Sequence, residues 1–302
     1  MNQQSSPNRA GFLHLAVVYL VWGSTYLAIR LAVREGAGFP PFTLAFMRVA
    51  VASAILLGWA AMRRDRIRPT RVEMTVLAGT GVLMWVGGNG LVTWAEMRAE
   101  SGLAALMVAV MPIWGAMLEA VVDRRMPSLK LSASLLLGFV GVGVLSWPVL
   151  REGTTSDHWS LVALLAAPLW WAIGSMWLTR RRPDLSIRVI SGWQHFWGGI
   201  GFLVMILILQ EPLPTPTAQA WVAWAYLAIF GSVIAFTSYI HVLKLLPMQV
   251  GMTYAYANPV IAVVLGWLVL SERLDWWVGA GSALVLAGIA GVFNNKAKNN
   301  RG

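Results

Sequence analysis

Long apolar segments alternate with short polar or charged clusters along almost the whole chain. Each apolar segment is near the ~20 residues that a helix needs to cross a hydrocarbon core about 30 Å thick. Because the connections between them are short, we expect the helices to pack as one bundle. The ten predicted spans are residues 12–33, 41–61, 74–94, 101–122, 131–150, 159–179, 187–209, 219–242, 249–270 and 276–294.

The composition agrees with an integral membrane protein. Hydrophobic residues make up 58% of the chain and charged residues 12%, about half of the roughly 25% found in soluble domains. The net charge of +10 needs no nucleic-acid partner, since Lys and Arg accumulate in the cytoplasmic loops of membrane proteins. The chain has no Cys, which excludes disulfides and thiol catalysis.

The basic residues are concentrated on one side of the predicted bundle. The two tails, predicted as residues 1–11 and 295–302, and the loops on the same side hold most of the Lys and Arg. The other side has more acids than bases. Because Lys and Arg favour the cytoplasm, both termini are predicted to be cytoplasmic.

The sequence also contains an internal repeat. A shift of 147 residues places Pro259 on Pro112, and a shift of 150 residues places Gly288 on Gly138. The apolar runs around each pair are similar in composition. Self-similarity of this kind predicts two copies of one structural unit.

The two copies are predicted to have opposite orientations in the membrane. Each predicted repeat, residues 12–150 and residues 151–294, has five spans, so the second must enter from the other side. The loop at 63–73 carries five Arg, whereas its counterpart at 210–218 carries none. Similar helices with opposite loop charge indicate inverted repeats, an arrangement of many secondary transporters.

Three segments carry a resemblance to a known family: WGSTYLAIR (22–30), PPFTLAFMRVAVASAIL (40–56) and NPVIAVVLGWLVLSERL (258–274). With these segments the chain resembles the ten-span, EamA-type branch of the drug/metabolite transporter superfamily. The resemblance implies an all-α integral membrane fold, with two inverted five-helix repeats around a central cavity. It also implies transport of small metabolites across the inner membrane, and exporters of aromatic amino acids are the most similar group.

The two prolines that the repeat aligns lie within apolar spans, one in each half. Pro112 lies about midway along the fourth span, and Pro259 lies near the middle of the ninth. A proline inside a helix removes a backbone hydrogen bond and clashes with the preceding turn. The pair is interpreted as hinges for alternating access, and the alternative is a static kink that allows close packing.

Arg48 and Glu119 are charged residues away from the ends of their predicted spans. Arg48 is either a clamp for a substrate carboxylate or a structural cation that bonds helix ends. Glu119 is either a proton-coupling group in the cavity or a neighbour of Arg124 and Arg125 at the headgroups. His195 is a second candidate for coupling, because an unperturbed histidine side chain titrates near neutral pH.

Polar and aromatic side chains inside the spans are the candidates for the cavity wall. Trp85 and Asn89 are four residues apart, as are Tyr254 and Asn258, so each pair lies on one helix face. Aromatic rings stack on an aromatic substrate, and amides hold its polar groups. The full set of predicted substrate-binding residues is Trp22, Arg48, Trp85, Asn89, Trp94, Trp114, Trp171, Trp193, Gln194, Tyr239, Tyr254 and Asn258.

These expectations favour a secondary transporter that exports small amphipathic metabolites, above all aromatic or other neutral amino acids. A carrier of sugar phosphates or nucleotides is the alternative, and it would need several bases facing the cavity. An enzyme is disfavoured because the sequence shows no HExxH motif or carboxylate cluster, and no Walker motif suggests ATP hydrolysis. No cofactor or metal is expected. The glycine-rich fifth and tenth spans pack either within one chain or between two chains of a homodimer.

Overall fold

The computed structural model describes residues 5–147, 151, 157–270 and 276–299. The Glu272–Arg273 pair, which contributes to the family resemblance, lies outside the described residues. So do the ends of both tails and most of the predicted boundary between the repeats.

The described residues form ten helical spans, five in each half of the chain. The first five are α1 (Ser5–Val33), α2 (Pro41–Met62), α3 (Arg71–Ala95), α4 (Ser101–Asp123) and α5 (Leu129–Leu145). The second five are α6 (His158–Arg181), α7 (Ile187–Leu209), α8 (Ala218–Leu245), α9 (248–270) and α10 (Trp276–Asn299). Eight of these are long and apolar enough to cross a membrane, and α5 is a shorter apolar helix.

The predicted spans agree with these helices to within a few residues except at the termini. The first helix begins at Ser5, so much of the predicted N-terminal tail is helical. Gly11 of this extension packs against Leu246 at the end of α8. The last helix likewise continues to Asn299, beyond the predicted end of its span. Hydropathy does not detect these extensions, because they are polar helical turns beyond the apolar segments.

Local sequence explains where several helices begin. At α3, the Thr70 hydroxyl accepts from the backbone N–H of Glu73, and the Glu73 carboxylate accepts from the N–H of Thr70. This reciprocal pair satisfies two N–H groups that the first turn leaves free. The residues whose side chains cap α5, α6, α7 and α8 are Ser128, Asp157, Ser186 and Thr217.

The helices pack in a reciprocal pattern between the two halves. The first helix, α1, packs on α8 and α9, and its counterpart α6 packs on α3 and α4. The remaining counterparts pair directly, α2 with α7 and α5 with α10. Successive spans alternate in direction, and each half has five, so α6 runs opposite to α1. This is the packing that two inverted copies of one unit produce.

Glycines of α5 and α10 face each other within the chain. A Cβ atom on Gly288 would lie 2.6 Å from the backbone Cα of Gly138, and one on Gly281 would lie 2.4 Å from the backbone N of Leu145. Only a residue without a side chain permits this approach. The small residues of the fifth and tenth spans therefore serve packing inside one chain.

The third helix of each half contains a π-helical segment. In α3 it is Leu83–Gly90, and in α8 it is Leu227–Ala235. A π-helix has more residues per turn than an α-helix, so the regular backbone hydrogen bonds of the α-helix are interrupted there. Some backbone polar groups then become free to bond other partners. Both segments face the middle of the bundle, where the candidate site lies.

The fourth helix of each half is interrupted. In α4 the helix stops at Val108 and restarts at Met111, so Pro112 lies in the first turn after the break. In α9 the interruption is at Thr253, and Pro259 lies inside the helix that follows. Only the first break thus adjoins its proline. The second precedes its proline by more than one helical turn.

Candidate functional site

A small cavity lies between the two halves of the bundle. Its volume, measured as the space open to the centre of a water molecule, is about 60 Å³. This holds a few waters and is far below the roughly 300–1,000 Å³ of ligand pockets. The residues around it are Trp22, Thr25, Tyr26, Ile29, Arg48, Trp85, Gly88, Asn89, Val92, Val108, Met111, Ala167, Pro168, Trp171, Tyr254 and Asn258.

The cavity extends from the middle of the bundle toward the side opposite the N-terminus. Ile29 and Val92 lie near the last turns of α1 and α3, and Arg48 lies two turns into α2. All three of these helix ends are on that opposite side. Because the volume is small, a ligand the size of phenylalanine requires the walls to move apart.

Arg48 is the buried cation of this cavity, with 3% of its surface exposed. Its Nε donates to Ser232 Oγ over 2.6 Å, and its Nη1 donates to Asn89 Oδ1 over 3.3 Å. Its Cζ also lies 5.2 Å from the ring centroid of Trp85, within reach of a cation–π interaction. Among the described residues, no carboxylate forms an ion pair with Arg48.

The two π-helical segments hold Arg48 between them. Asn89 and Trp85 belong to the π segment of α3, and Ser232 belongs to that of α8. The Ser232 hydroxyl in turn donates to the carbonyl of Leu227, five residues earlier. Equivalent helices of the two repeats thus contribute the partners of one guanidinium.

Aromatic rings close the cavity toward the side that carries the N-terminus. The ring of Trp22 lies 4.7 Å from that of Tyr254, 5.1 Å from that of Tyr239 and 5.4 Å from that of Trp171. The indole of Trp22 also donates to the carbonyl of Gly231 over 3.1 Å, in the π segment of α8. The four rings come from α1, α6, α8 and α9, so both halves contribute to this closure.

Asn258 completes the polar lining of the cavity. It is 1% exposed, and neither atom of its carboxamide has a hydrogen-bond partner among the described residues. The Tyr26 hydroxyl lies close by without completing a hydrogen bond. A buried amide without partners is costly unless water or a ligand satisfies it. Asn258 therefore offers free donors and an acceptor to whatever enters the cavity.

The structure brings together seven of the twelve predicted substrate-binding residues. Those that line the cavity are Trp22, Arg48, Trp85, Asn89, Trp171, Tyr254 and Asn258. Tyr239 lies directly behind them, and its hydroxyl is 2.8 Å from that of Ser175.

Four predicted residues lie elsewhere. Trp94 stacks with Arg98 in an outer groove, and Trp114 packs at the edge of the main core. The indole of Trp193 donates to the carbonyl of Ile67, in the loop between α2 and α3. The helix rotation that buries the neighbouring Gln194 against Thr80 of α3 directs Trp193 away from the cavity.

The two predicted coupling residues lie outside the lining. His195 packs behind Trp85, with ring centroids 4.5 Å apart, and is fully buried. Glu119 lies in the half of α4 nearer the N-terminal side and accepts a hydrogen bond from Gln249 of α9. This contact joins the two interrupted helices, α4 and α9. Neither of the sequence-based alternatives for Glu119 included such a contact.

Sequence reasoning missed three residues of this region. Tyr26 lies one turn after Trp22, and the i, i+4 rule already applied to other pairs identifies it. Pro168 is another proline in an apolar run, and here α6 continues through it. Glu96 lies two residues beyond the predicted end of the third span, and it is fully buried directly after α3.

The sequence profile of the EamA-like transporter family matches residues 9–147 and again residues 158–294. The chain belongs to this family. Each half is one EamA repeat, and the chain is a membrane transporter, not an enzyme.

Relatives and a solved structure agree with this assignment. The inner membrane transporter YedA of Escherichia coli K12, whose name marks it as uncharacterized, is 30% identical to this EamA-like transporter. The alignment covers 88% of this chain and 86% of YedA. A probable terminal-alkyne amino-acid exporter of Streptantibioticus cattleyicolor is 25% identical, over 91% of this chain and 90% of its own.

A crystal structure with 22% sequence identity superimposes with a TM-score of 0.74 and covers 96% of both chains. At this identity the likeness shows the fold alone. Together with the apolar helices, the YedA match places this EamA-like transporter in the inner membrane as a multi-pass protein.

Proposed function

We propose that this EamA-like transporter exports neutral amino acids with large apolar side chains, aromatic ones first, by alternating access. The observation that carries the proposal is Arg48, a buried cation that lines a largely apolar and aromatic cavity. Its described contacts are neutral acceptors and one ring. Its positive charge is therefore available to an anionic group of a ligand.

The cavity lining fits the groups of an aromatic amino acid. The Arg48 guanidinium suits the α-carboxylate, because Arg binds carboxylates with paired, charge-assisted hydrogen bonds. The amide oxygens of Asn89 and Asn258 are acceptors for the α-ammonium group. Trp22 and Trp171 provide flat apolar surface for the side chain.

The number of cations argues against the alternative carrier. Sugar phosphates and nucleotides carry more negative charge than an amino acid, and burying that charge requires several bases. The described cavity lining contains one cation, Arg48. The relative named as a probable amino-acid exporter, 25% identical over most of both chains, also supports amino acids and the export direction.

Counterflow in proteoliposomes tests the proposal. Vesicles preloaded with unlabelled phenylalanine or tryptophan should accumulate the labelled amino acid saturably. Trp85→Ala should abolish most of this accumulation, whereas Trp193→Ala, a matched change outside the cavity, should retain it. Size-exclusion profiles establish that both variants are folded. Saturable counterflow of other metabolites only, with none for aromatic amino acids, would contradict the proposal.

A further inference from the structure

Glu96 lies directly beyond the cavity at its outer end, on the side opposite the N-terminus. It follows the last residue of α3, and the cavity-lining residues Asn89 and Val92 precede it by seven and four positions. These spacings place it on the same helix face, about one turn beyond Val92. Tyr26, which lines the cavity from α1, is close enough to interact electrostatically with Glu96.

The Glu96 side chain is fully buried and unsatisfied. Its exposure is 0%, and neither carboxylate oxygen has a hydrogen-bond partner among the described residues. An ionised carboxylate in such a place loses its hydration without compensation, so burial favours the neutral acid. The closed arrangement seen here therefore suits a protonated Glu96, and opening the outer end to water suits an ionised one.

Among the residues that the structure describes, no charged or titratable side chain neutralises Glu96 by direct contact. Arg30 of α1 attracts it through space, but its Nη1 donates to the backbone carbonyls of Glu96 and Met97, over 2.7 and 2.8 Å. The first turns of α2 contain no charged residue. Beyond α3, Asp157 and Arg98 pair with each other, and the described residues His158 and Glu100 on this side are exposed.

The same Arg30 contacts tie α1 to the end of α3 above the cavity. The guanidinium holds two successive backbone carbonyls, so separating α1 from α3 at this end breaks both bonds and exposes Glu96. Closure of the pathway on this side and burial of Glu96 are thus one event.

We propose that Glu96 is a proton-binding site whose protonation accompanies closure of the outer end of the transport pathway. The carboxylate binds one proton from the outer aqueous phase, becomes a neutral acid and is then buried between α1 and α3. Reopening returns it to water, where it releases the proton. This rests on the alternating access proposed above but not on the identity of the substrate.

The absence of native cysteines permits a test that needs no substrate. Ile29→Cys introduces one thiol at the outer end of the cavity, where Ile29 is 2% exposed. Glu35→Cys introduces one in the exposed turn after α1. A membrane-impermeant maleimide is added from the outer side. The labelling rate of Ile29→Cys is then divided by that of Glu35→Cys, which removes the general pH dependence of thiol chemistry.

Raising the outer pH from about 6 to about 8 should increase this ratio by about threefold or more. One linked proton limits the increase to at most about tenfold per pH unit. Glu96→Gln, a permanent mimic of the neutral acid, should keep the ratio low and independent of pH. Glu96→Asp should preserve a pH dependence and shows that the site tolerates substitution. Glu100→Gln, which removes an exposed acid on the same side, should behave as the native chain.

A ratio that is independent of pH in the native chain, as a permanent Glu96–Arg30 ion pair would give, would overturn the proposal. An equal rise in the native chain and in Glu96→Gln would overturn it as well. Failure of amino-acid counterflow would leave these labelling results unchanged, so the two proposals can fail separately.

Discussion

The Nε of Arg48 donates a 2.6 Å hydrogen bond to the hydroxyl of Ser232, and this bond joins the two repeats at the centre of the transporter. Arg48 comes from the second helix of the first repeat. Ser232 comes from the π-helical segment in the third helix of the second repeat. The bond fixes the guanidinium while leaving it without a described carboxylate partner, which is the arrangement that an anion-binding cation needs.

Replacing Arg48 by Lys should raise the KM for a transported amino acid by about tenfold or more, with a smaller effect on kcat. Hydrogen bonds to charged groups contribute about 1.5–3 kcal/mol, and Lys cannot reproduce the paired geometry. Ser232→Ala keeps the charge and should raise KM less. Initial rates of counterflow over a range of concentrations provide both constants. An unchanged KM with a lower thermal unfolding midpoint would assign Arg48 a structural role instead.

Replacing Pro112 by Ala should slow transport without unfolding the protein. The α4 helix is interrupted directly before this proline, and Ala permits the helix to continue through the break. Pro259→Ala should slow transport less, because that proline lies inside a helix whose interruption is more than one turn away. Exchange rates at saturating substrate measure both effects. Native rates in both variants would exclude hinges at these positions.

Replacing Gly288 by Ala should lower the thermal unfolding midpoint. Its Cβ would meet the backbone of Gly138 at 2.6 Å, and overpacking of this kind costs about 1–3 kcal/mol. Gly143→Ala is the matched control in the partner helix, because no described residue lies within 4 Å of its added Cβ. Thermal unfolding monitored in detergent should show a lower midpoint for Gly288→Ala only. Equal midpoints would mean that α5 and α10 separate at little cost.

Replacing Asp65 by Asn should destabilise the transporter at neutral pH but not in acid. The Arg188 guanidinium and the Ser186 hydroxyl, which hydrogen-bond this carboxylate, hold the pKa of Asp65 below its ordinary value. A lowered pKa contributes stability above the ordinary value of about 3.9, and this contribution is lost as the pH falls through the folded value. The difference in unfolding midpoint should therefore be constant near neutrality and shrink below about pH 4.

Asp184→Asn serves as the control for this pH series, since Asp184 is exposed in the connection between α6 and α7, which also contains Ser186. It should show no comparable difference at any pH. If the difference in unfolding midpoint between the native chain and Asp65→Asn persists in strong acid, the packing of the side chain and not its charge explains the effect.

The π-helical segments show why part of the site could not be predicted. Their residues have the apolar composition of ordinary membrane helices, and nothing local marks the extra residue per turn. Contacts from other helices hold them, such as the bond from Trp22 to the carbonyl of Gly231. The pattern of apolar residues, with a period of 3.6, therefore predicts each helix correctly but does not reveal its π-helical segment.

Trp85 and Trp193 illustrate the same limit for side chains. Both were predicted to bind substrate because they lie in apolar helices beside polar residues. In a membrane helix the lipid-facing and the protein-facing sides are both apolar, so sequence gives little information on rotation about the helix axis. Packing directs Trp85 into the cavity and Trp193 toward Ile67.

The sequence by itself determined the ten apolar helices and the repeat of five, and it singled out Arg48 as a charge inside a span. It could do so because crossing a membrane fixes the length and polarity of each segment, whatever its neighbours are. The tertiary structure decided which side chains meet across the two repeats and that Glu96, beyond the end of its span, is buried. These outcomes depend on helix rotation and close approach, which are set by packing between segments distant in sequence.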